Sequence, residues 1–366
     1  MIPSIEKIII HSDAVDAPMT RRIIGNLPDV PAEVMDDAAS ERFASGLTLS
    51  RGKRILFLTR GKGALVKPCP GTSDPYLCCG YVTVNPQTHC PMDCTYCILQ
   101  NYLERSFLTV HVNTDEILLR IEALLASQPG RFFRIGTGEL ADSLALDPIT
   151  QISGDLLPFF VSKRNALLEL KTKTGNVRSL LAQPARRAVI SWSVNPQRVI
   201  DAEEHRTASL DERLSAAGEC AEAGFLVGFH FDPILLVEEW EKDYDGLIDR
   251  LFSAVNPSRI AWISLGSLRF PPALKEVIEE RFPRSRIPFG EMIRGLDGKM
   301  RYAKPVRLEL YRRIAGRIRE RSSGVFVYFC MESPDVWERV MGRAPASNAE
   351  LDGLFSESIR RRFPDL

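Results

Sequence analysis

Three cysteines with short, unequal spacing are the clearest chemical feature of the sequence. Cys90, Cys94 and Cys97 are separated by three and then by two residues. Thiolates are soft ligands that suit zinc and iron–sulfur centres. Structural zinc sites usually have four protein ligands, whereas three thiolates leave one iron of a 4Fe–4S cluster without a protein ligand. The spacing therefore predicts a 4Fe–4S cluster with one open iron. The alternative is a zinc site completed by His89 or Cys79.

This cysteine spacing resembles the signature of the radical S-adenosylmethionine (SAM) superfamily. In that superfamily SAM binds the open iron, and one electron from the cluster cleaves it to a 5′-deoxyadenosyl radical. The segment Gly-Thr-Gly138-Glu139 resembles the superfamily's glycine-rich segment, which contacts the SAM amino group. Tyr96 stands where members place a residue beside the adenine, and its alternative role is that of a core aromatic residue. The resemblance implies a 4Fe–4S cluster and SAM as cofactors.

Residues 80 to 305 resemble the spore photoproduct lyase family more specifically. The segments Leu-Lys-Thr-Lys173 and Ser-Trp-Ser193-Val-Asn resemble family segments whose lysine and serine contact SAM. The resemblance also assigns Asp142 and Ser143, after the second strand, to the cofactor site. Both Lys173 and Ser193 follow predicted strands, where barrel enzymes place their active sites. Otherwise they would be solvated or capping side chains. Family members use the adenosyl radical to cleave a UV-induced thymine dimer in DNA.

The chain departs from this family at positions that matter for catalysis. Glu139 stands where the lyases carry the cysteine that returns a hydrogen atom to the product radical, and a carboxyl O–H bond is too strong for that task. Ile98 replaces a tyrosine of their radical relay. The chain therefore resembles most the branch of lyase-like proteins outside spore formers. Its substrate is not inherited from the founding members.

Cys330 is our candidate for the missing hydrogen donor, because a thiol S–H bond is weak enough to give up a hydrogen atom. It ends a predicted strand whose C-terminal end would face the active-site mouth if the strand joins the barrel in parallel. Tyr328, two residues earlier, would share its strand face and could extend a relay. Tyr96 is the second catalytic candidate. The alternative for Cys330 is a buried cysteine that only packs.

Three further cysteines precede the cluster motif: Cys69, Cys78 and Cys79. They are either reduced thiols, a second metal site or a redox pair. A disulfide between Cys78 and Cys79 is disfavoured because adjacent residues strain its geometry.

A hairpin is predicted near residues 290–303, because an Asp-Gly turn at Asp297 separates two short strand-like runs. The family inserts such a hairpin into DNA at the lesion. Basic side chains would meet phosphates and an aromatic ring would stack on an exposed base. A basic run can also be an ordinary solvated surface. The residues predicted to contact the nucleic acid are Arg294, Lys299, Arg301, Tyr302 and Lys304.

Alternating strands and helices predict an α/β fold, a partial (β/α)6-type radical SAM barrel at residues 76–330. An N-terminal extension (1–75) would precede it and a C-terminal helical tail (331–366) would follow. Asn113 is expected to cap one helix, and Ser209 with Glu212 forms a capping box for another. The predicted strands are Tyr81–Val84, Phe132–Ile135, Ala166–Leu170, Ala188–Val194, Phe225–Phe231 and Ile260–Leu265, with a late apolar run at Val325–Phe329.

The composition excludes several classes of protein. The 366 residues include 47 basic and 47 acidic side chains, which gives no evidence of bulk nucleic-acid affinity. No segment approaches a membrane span, so we expect a cytoplasmic protein without a membrane partner. The first hypothesis is a radical SAM lyase acting on DNA with a UV lesion, supplied with electrons by a flavodoxin or ferredoxin. The alternatives are a radical SAM enzyme for a modified RNA base or small metabolite, and a non-catalytic metal-binding nucleic-acid protein.

Overall fold

The computed structural model describes residues 3–71, 75–103 and 105–364. Strands and helices alternate along most of the chain. The strands are β1 (Lys7–His11), β2 (Ala32–Met35), β3 (Ile55–Thr59), β4 (Val66–Pro68), β5 (Val82–Val84), β6 (Gln87–Thr88), β7 (Asp93–Cys94), β8 (Leu108–His111), β9 (Phe133–Gly136), β10 (Ala166–Thr172), β11 (Ala188–Ser193), β12 (Glu204–His205), β13 (Leu226–Ile234), β14 (Ile260–Ser267), β15 (Arg269–Phe270), β16 (Met292–Arg294), β17 (Met300–Tyr302) and β18 (Val327–Phe329).

Fourteen α-helices connect these strands within the described residues. They are α1 (Pro18–Asn26), α2 (Asp37–Ser45), α3 (Leu49–Gly52), α4 (Leu99–Tyr102), α5 (Thr114–Ser127), α6 (Asp147–Thr150), α7 (Ile152–Val161), α8 (Gln197–Glu203), α9 (Leu210–Glu222), α10 (Trp240–Ala254), α11 (Leu274–Arg281), α12 (Lys304–Arg321), α13 (Pro334–Met341) and α14 (Asn348–Arg362).

The larger sheet forms the partial barrel that the sequence predicts. Its strand order is β18-β14-β13-β11-β10-β9-β5-β4, and every strand except β4 is parallel to its neighbours. The predicted barrel strands are confirmed, with differences only at their ends. The late apolar run also joins in parallel, as β18 beside β14. Because the strands are parallel, their C-terminal ends meet at one edge, where the site residues gather.

The N-terminal residues are more ordered than their polar sequence suggests. A second sheet has the order β2-β1-β3-β8-β6, so it joins strands from both sides of residue 75. The apolar run Ile55–Thr59 forms β3. Within the barrel sheet, β4 also comes from before residue 75. The N-terminal segment is therefore built into both sheets and anchors the region around the cluster motif.

The two predicted helix starts have different outcomes. The capping box is confirmed: the Ser209 hydroxyl accepts a hydrogen bond from the Glu212 amide, and the Glu212 carboxylate accepts one from the Ser209 amide. The prediction that the Asn113 side chain caps helix α5 is wrong. Helix α5 begins at Thr114, but the Asn113 side chain instead bonds both backbone groups of Gly61. A distant backbone partner outcompetes the local cap.

The C-terminal tail is helical, as expected, and its last helix packs on the barrel. Phe355 of α14 contacts Trp262 and Tyr328 edge to face, and Arg134 lies over its ring. None of the described helices is long and apolar enough to cross a membrane.

Candidate active site

The loop that carries Cys90, Cys94 and Cys97 is held by side chains from distant parts of the chain. Lys53 Nζ donates to the Met92 carbonyl at 2.5 Å and to Asp93 Oδ1 at 2.8 Å. Arg281 donates to both oxygens of Asp93, at 2.9 and 3.1 Å. Within the loop, Cys94 pairs in β7 with Glu204 of β12. These contacts fix the backbone that presents the thiols.

The donor chemistry of this loop fits an iron–sulfur cluster. Burial raises the pKa of Cys90 and raises that of Cys94 to about 12. A thiolate at either position therefore needs a nearby cation, which a cluster supplies. Within the described ranges, no three His, Cys, Asp or Glu side chains form a site for a single metal ion. A cluster differs from zinc in that each thiolate binds a different iron.

The zinc alternative has no support from its proposed fourth ligands. His89 Nε2 is bonded to the Arg105 carbonyl oxygen at 2.5 Å, and burial lowers the pKa of His89 to about 4. Cys79 lies beside Cys78 and Arg134. Neither side chain completes a metal site with the three cysteines.

One cavity of about 320 Å³ brings most of the predicted site residues together. Its wall includes the three cysteines, four cations and several acids. The predicted residues that line it are Cys90, Cys94, Cys97, Tyr96, Gly138, Glu139, Asp142, Lys173, Ser193 and Lys299. The sequence thus located the cavity through residues as far apart in the chain as Cys90 and Lys299.

A buried carboxylate holds Tyr96 and Lys173 in place. Lys173 Nζ lies 2.9 Å from Glu204 Oε1 and donates to the Tyr96 hydroxyl at 2.8 Å. Tyr96 donates to the same carboxylate. Asn195 donates to Glu204 Oε1 at 2.8 Å, and Arg213 lies 2.7 Å from Glu204 Oε2. The lysine is therefore fixed at the cavity wall.

The electrostatics of this group suit an anionic ligand. Burial alone would raise the pKa of Glu204, but Lys173 and Arg213 hold it well below its ordinary value. The carboxylate is thus ionised and carries one negative charge against two positive charges. Burial and Glu204 raise the pKa of Tyr96, so its hydroxyl stays protonated. The remaining positive charge favours a carboxylate such as that of SAM.

Asp142 and Ser143 are engaged within the protein. Asp142 accepts hydrogen bonds from Leu144 N, Ala145 N, Thr172 Oγ1 and Lys173 N, at 2.7–3.0 Å. Asp142 also lines the cavity, whereas Ser143 is not among its lining residues. The Ser143 hydroxyl bonds Thr137 and Lys171 N. Both residues shape the loop after β9, and their assignment to the cofactor stays a prediction.

Glycine is required where the loop after β9 meets the barrel interior. A Cβ atom at Gly136 would lie 1.7 Å from the Tyr81 hydroxyl oxygen, and one at Gly138 would lie 2.9 Å from Lys171 Cβ. Glu139 follows at the cavity wall, with Lys67 Nζ at 3.5 Å and Asn85 Nδ2 at 3.4 Å. The glycines thus let this segment approach β10 closely.

Cys330 lies directly behind the cavity wall. Arg269 Nη2 donates to Cys330 Sγ at 3.4 Å, and both Arg269 and Met331 line the cavity. Cys330 is not itself among the lining residues. Burial raises the pKa of Cys330 to about 12, so its sulfur keeps its hydrogen at neutral pH. The expected parallel strand is confirmed, and it brings an S–H group to the active-site edge.

None of the eight cysteines forms a disulfide, and the upstream ones are partly exposed. A hydrogen bond from Cys78, against the effect of burial, lowers the pKa of Cys79 to about 5, and Arg134 adds to this shift. No three described side chains there gather around a single metal ion. The role of the three upstream cysteines stays a prediction.

The predicted DNA hairpin forms, with its strands β16 and β17 in a sheet with β15. Two of its predicted contact residues are buried, however. Arg301 is 1% exposed, donates to Asp297 Oδ2 at 2.6 Å and stacks on Tyr76. Tyr302 is also buried, and its hydroxyl accepts a hydrogen bond from Leu236 N. Arg301 and Tyr302 are thus engaged within the protein, and their contacts with DNA stay a prediction.

The remaining hairpin residues stay accessible. Arg294 is exposed, Lys299 reaches the cavity, and Lys304 pairs with Asp335 on the surface at 3.0 Å. Sequence reasoning missed Leu296, which is 78% exposed at the tip of the hairpin. An apolar residue inside a Gly-Leu-Asp-Gly turn was the available signal. Two further residues were not predicted from the sequence: Glu204, which binds Lys173, and Lys171, which lines the cavity.

Known proteins resemble this chain along most of its length. A family model for spore photoproduct lyase matches residues 78–310. The spore photoproduct lyase of Clostridium acetobutylicum is 25% identical over 310 residues, which cover 82% of this chain and 89% of the relative. That of Bacillus subtilis is 29% identical over 209 residues, 56% of this chain and 61% of the relative.

A solved structure shares the fold. It is a spore photoproduct lyase mutant with bound AdoMet and dinucleoside spore photoproduct, with a TM-score of 0.80 and 23% identity. The match covers 89% of this chain and 98% of that one.

Glu204→Gln is expected to lower the free energy of unfolding by about 3–5 kcal/mol at pH 7, because it leaves two buried cations without their carboxylate. The depressed pKa of Glu204 stabilises the fold above the unfolded-state value of about 4.3 and loses this effect as the pH falls below it. Urea unfolding at pH 7 and at pH 3.5 should therefore show that the free energy of unfolding falls less on acidification in the variant than in the wild type. Glu357→Gln on the exposed face of α14 is the control. Equal stabilities of Glu204→Gln and wild type would contradict the assignment.

Proposed function

Because this chain belongs to the spore photoproduct lyase family, we propose that it is a radical SAM lyase that cleaves a thymine-dimer lesion in DNA. The main observation in support of this proposal is that the three cluster cysteines and Lys299 of the hairpin line the same cavity. Cofactor chemistry and substrate recognition therefore meet in one space. The relatives described above are spore photoproduct lyases, and one related structure holds a dinucleoside spore photoproduct.

The cofactor side of the cavity is formed by residues with separate tasks. Cys90, Cys94 and Cys97 would hold the 4Fe–4S cluster and leave one iron open. Lys173, fixed by Glu204, would bind the SAM carboxylate. When bound, the cluster and SAM supply a carbon-centred radical that abstracts a hydrogen atom from the substrate.

Further residues would complete this cofactor site. Glu139 would accept from the SAM amino group, with Gly138 leaving space for it, and the Ser193 hydroxyl would contact the nucleoside. Tyr96 would lie beside the adenine.

The hairpin would meet the DNA. Arg294 and Lys304 are exposed and would contact phosphates. Leu296 at its tip and Ile293 in β16 are apolar side chains that are 78% and 51% exposed. Apolar wedges of this kind unstack base steps in DNA, which would help a lesion to enter the cavity. Lys299 would contact the lesion from the cavity wall. This arrangement favours DNA over a small metabolite.

Cys330 would return hydrogen to the product radical. Its S–H bond breaks, a C–H bond forms on the thymine, and a thiyl radical remains on Cys330 until another donor restores its hydrogen. Arg269 positions the sulfur, and the raised pKa keeps the thiol protonated. Glu139, at the family's donor position, has no weak bond to offer. Electrons would enter from an external carrier such as a flavodoxin or ferredoxin.

The direct test is lesion repair. Anaerobically reconstituted protein with dithionite and SAM should convert spore photoproduct in UV-irradiated DNA to thymine, measured by mass spectrometry after digestion. Cys94→Ala should neither bind the cluster nor repair, since it loses a thiolate ligand. SAM cleavage by the wild type without any loss of lesion would contradict the proposal and direct attention to an RNA base or a metabolite.

Cys330→Ala should separate radical formation from product quenching. We expect SAM cleavage to persist, clean thymine formation to fall at least about tenfold, and radical by-products to appear. The physical reason is that no S–H group then stands behind the cavity wall at Arg269. Cys220→Ala on α9, a buried cysteine outside the cavity, is the matched control. Unchanged product and unchanged deuterium incorporation in heavy water would exclude Cys330 and favour Tyr96 or an upstream cysteine.

A further inference from the structure

Three charged side chains of β10 and its end face the barrel interior. Glu169, Lys171 and Lys173 alternate along the chain, so they lie on one face of the strand. Glu169 lies deepest, and Lys173 lies just beyond the end of the strand. Glu169 and Lys173 form hydrogen bonds within the protein, whereas the ammonium group of Lys171 forms none in the described residues.

Glu169 is fully engaged in the barrel interior. Its Oε1 accepts from His230 Nε2 at 2.8 Å and from Trp262 Nε1 at 3.0 Å, and Ser191 donates to it at 2.5 Å. Its Oε2 accepts from the Tyr81 hydroxyl at 2.6 Å. Burial would raise the pKa of Glu169, but His230 and these hydrogen bonds hold it well below its ordinary value. Both of its oxygens therefore have hydrogen-bond partners other than Lys171.

The acids around Lys171 are engaged elsewhere as well. Asp232 accepts two hydrogen bonds from Arg269 in a bidentate ion pair, at 3.0 and 3.1 Å. Glu139 faces Lys67 and Asn85, and Asp142 accepts four hydrogen bonds. The partners of Lys173 are Tyr96 and Glu204.

The Lys171 ammonium group makes no hydrogen bond or ion pair within the described residues, although, against the effect of burial, Arg269 and then Lys171 lower the pKa of Asp232. No residue in the described part of the chain accepts a hydrogen bond from its Nζ atom or pairs with it, although it lines the cavity and is partly buried. Placing an ammonium in a partly desolvated site without an acceptor costs free energy. Because residue 138 is a glycine, it leaves space beside the Cβ atom of Lys171. A ligand in the cavity would offset this cost by supplying an oxygen acceptor.

We propose that Lys171 binds the substrate, donating a charge-assisted hydrogen bond to an oxygen atom of the lesion in the cavity. This inference rests on the proposed function and deepens it. The acceptor is an oxygen with negative charge or strong polarity, which the lesion offers at its pyrimidine carbonyls and at the phosphate that joins its two nucleosides. Lys173 serves the cofactor, and Lys171, two residues earlier on the same face, serves the substrate.

The test compares Lys171→Met with Lys171→Arg in reconstituted holoenzyme without reductant, so that no turnover occurs. Binding of the lesion dinucleotide and of the dinucleoside without phosphate is measured in the presence of SAM. We expect Lys171→Met to weaken lesion binding by about ten- to a hundredfold. Lys171→Arg should keep most of the affinity. Lys62→Met, on the exposed surface, is the control.

Two further readouts separate this role from others. The melting temperature of Lys171→Met should equal or exceed that of the wild type, because the variant removes an unpaired charge. Its SAM affinity should be unchanged. A loss on both lesion ligands assigns the contact to a pyrimidine carbonyl, and a loss on the dinucleotide alone assigns it to the phosphate.

Three results would overturn the inference. If Lys171→Met binds both lesion ligands as tightly as the wild type does, Lys171 does not contact the lesion. A loss of SAM affinity would place Lys171 in the cofactor site, and a loss of stability alone would make its role structural. If the wild-type holoenzyme binds SAM but neither lesion ligand, the proposed function fails as well, so the two failures are distinguishable.

Discussion

The buried ion pairs of Glu204 are the constraint on which the active site depends. Its backbone pairs with Cys94 in the cluster loop, and its carboxylate holds Tyr96 and Lys173. Arg213 contacts the other oxygen and also donates to the Ser193 carbonyl at 2.9 Å. One side chain thereby ties the cluster loop to the ends of β10 and β11. Buried ion pairs are costly to break because each leaves a charge unpaired.

The same site separates cofactor and substrate chemistry by strand position. Residues at the ends of β9, β10 and β11 face the cluster loop, whereas Arg269, Lys299 and Met331 approach from β15, the hairpin and the segment after β18. The last strand matters because it carries Cys330 to this edge. If Cys330 is the hydrogen donor, as we propose, the donor stands on a different strand from the one the family uses, which is possible because parallel strands share one functional edge.

The sequence predicts features that depend on local patterns. The cysteine spacing, the apolar strands and the Ser209 capping box all depend on residues close together in the chain, and the fold and family are confirmed. The roles of Tyr302 and Asn113 could not be predicted, because their partners, Leu236 and Gly61, are distant in sequence.

Glu204 was hidden for a related reason. In an Asp-Ala-Glu-Glu run it is typical of a solvated helix, and only the folded chain shows that it is buried against Lys173 and Arg213. The most direct test of the whole account is electron paramagnetic resonance of the reduced, reconstituted protein with and without SAM. The account predicts about four irons per chain and the signal of one 4Fe–4S cluster that changes when SAM binds the open iron. Zinc in place of iron, or a cluster signal that SAM leaves unchanged, would contradict it.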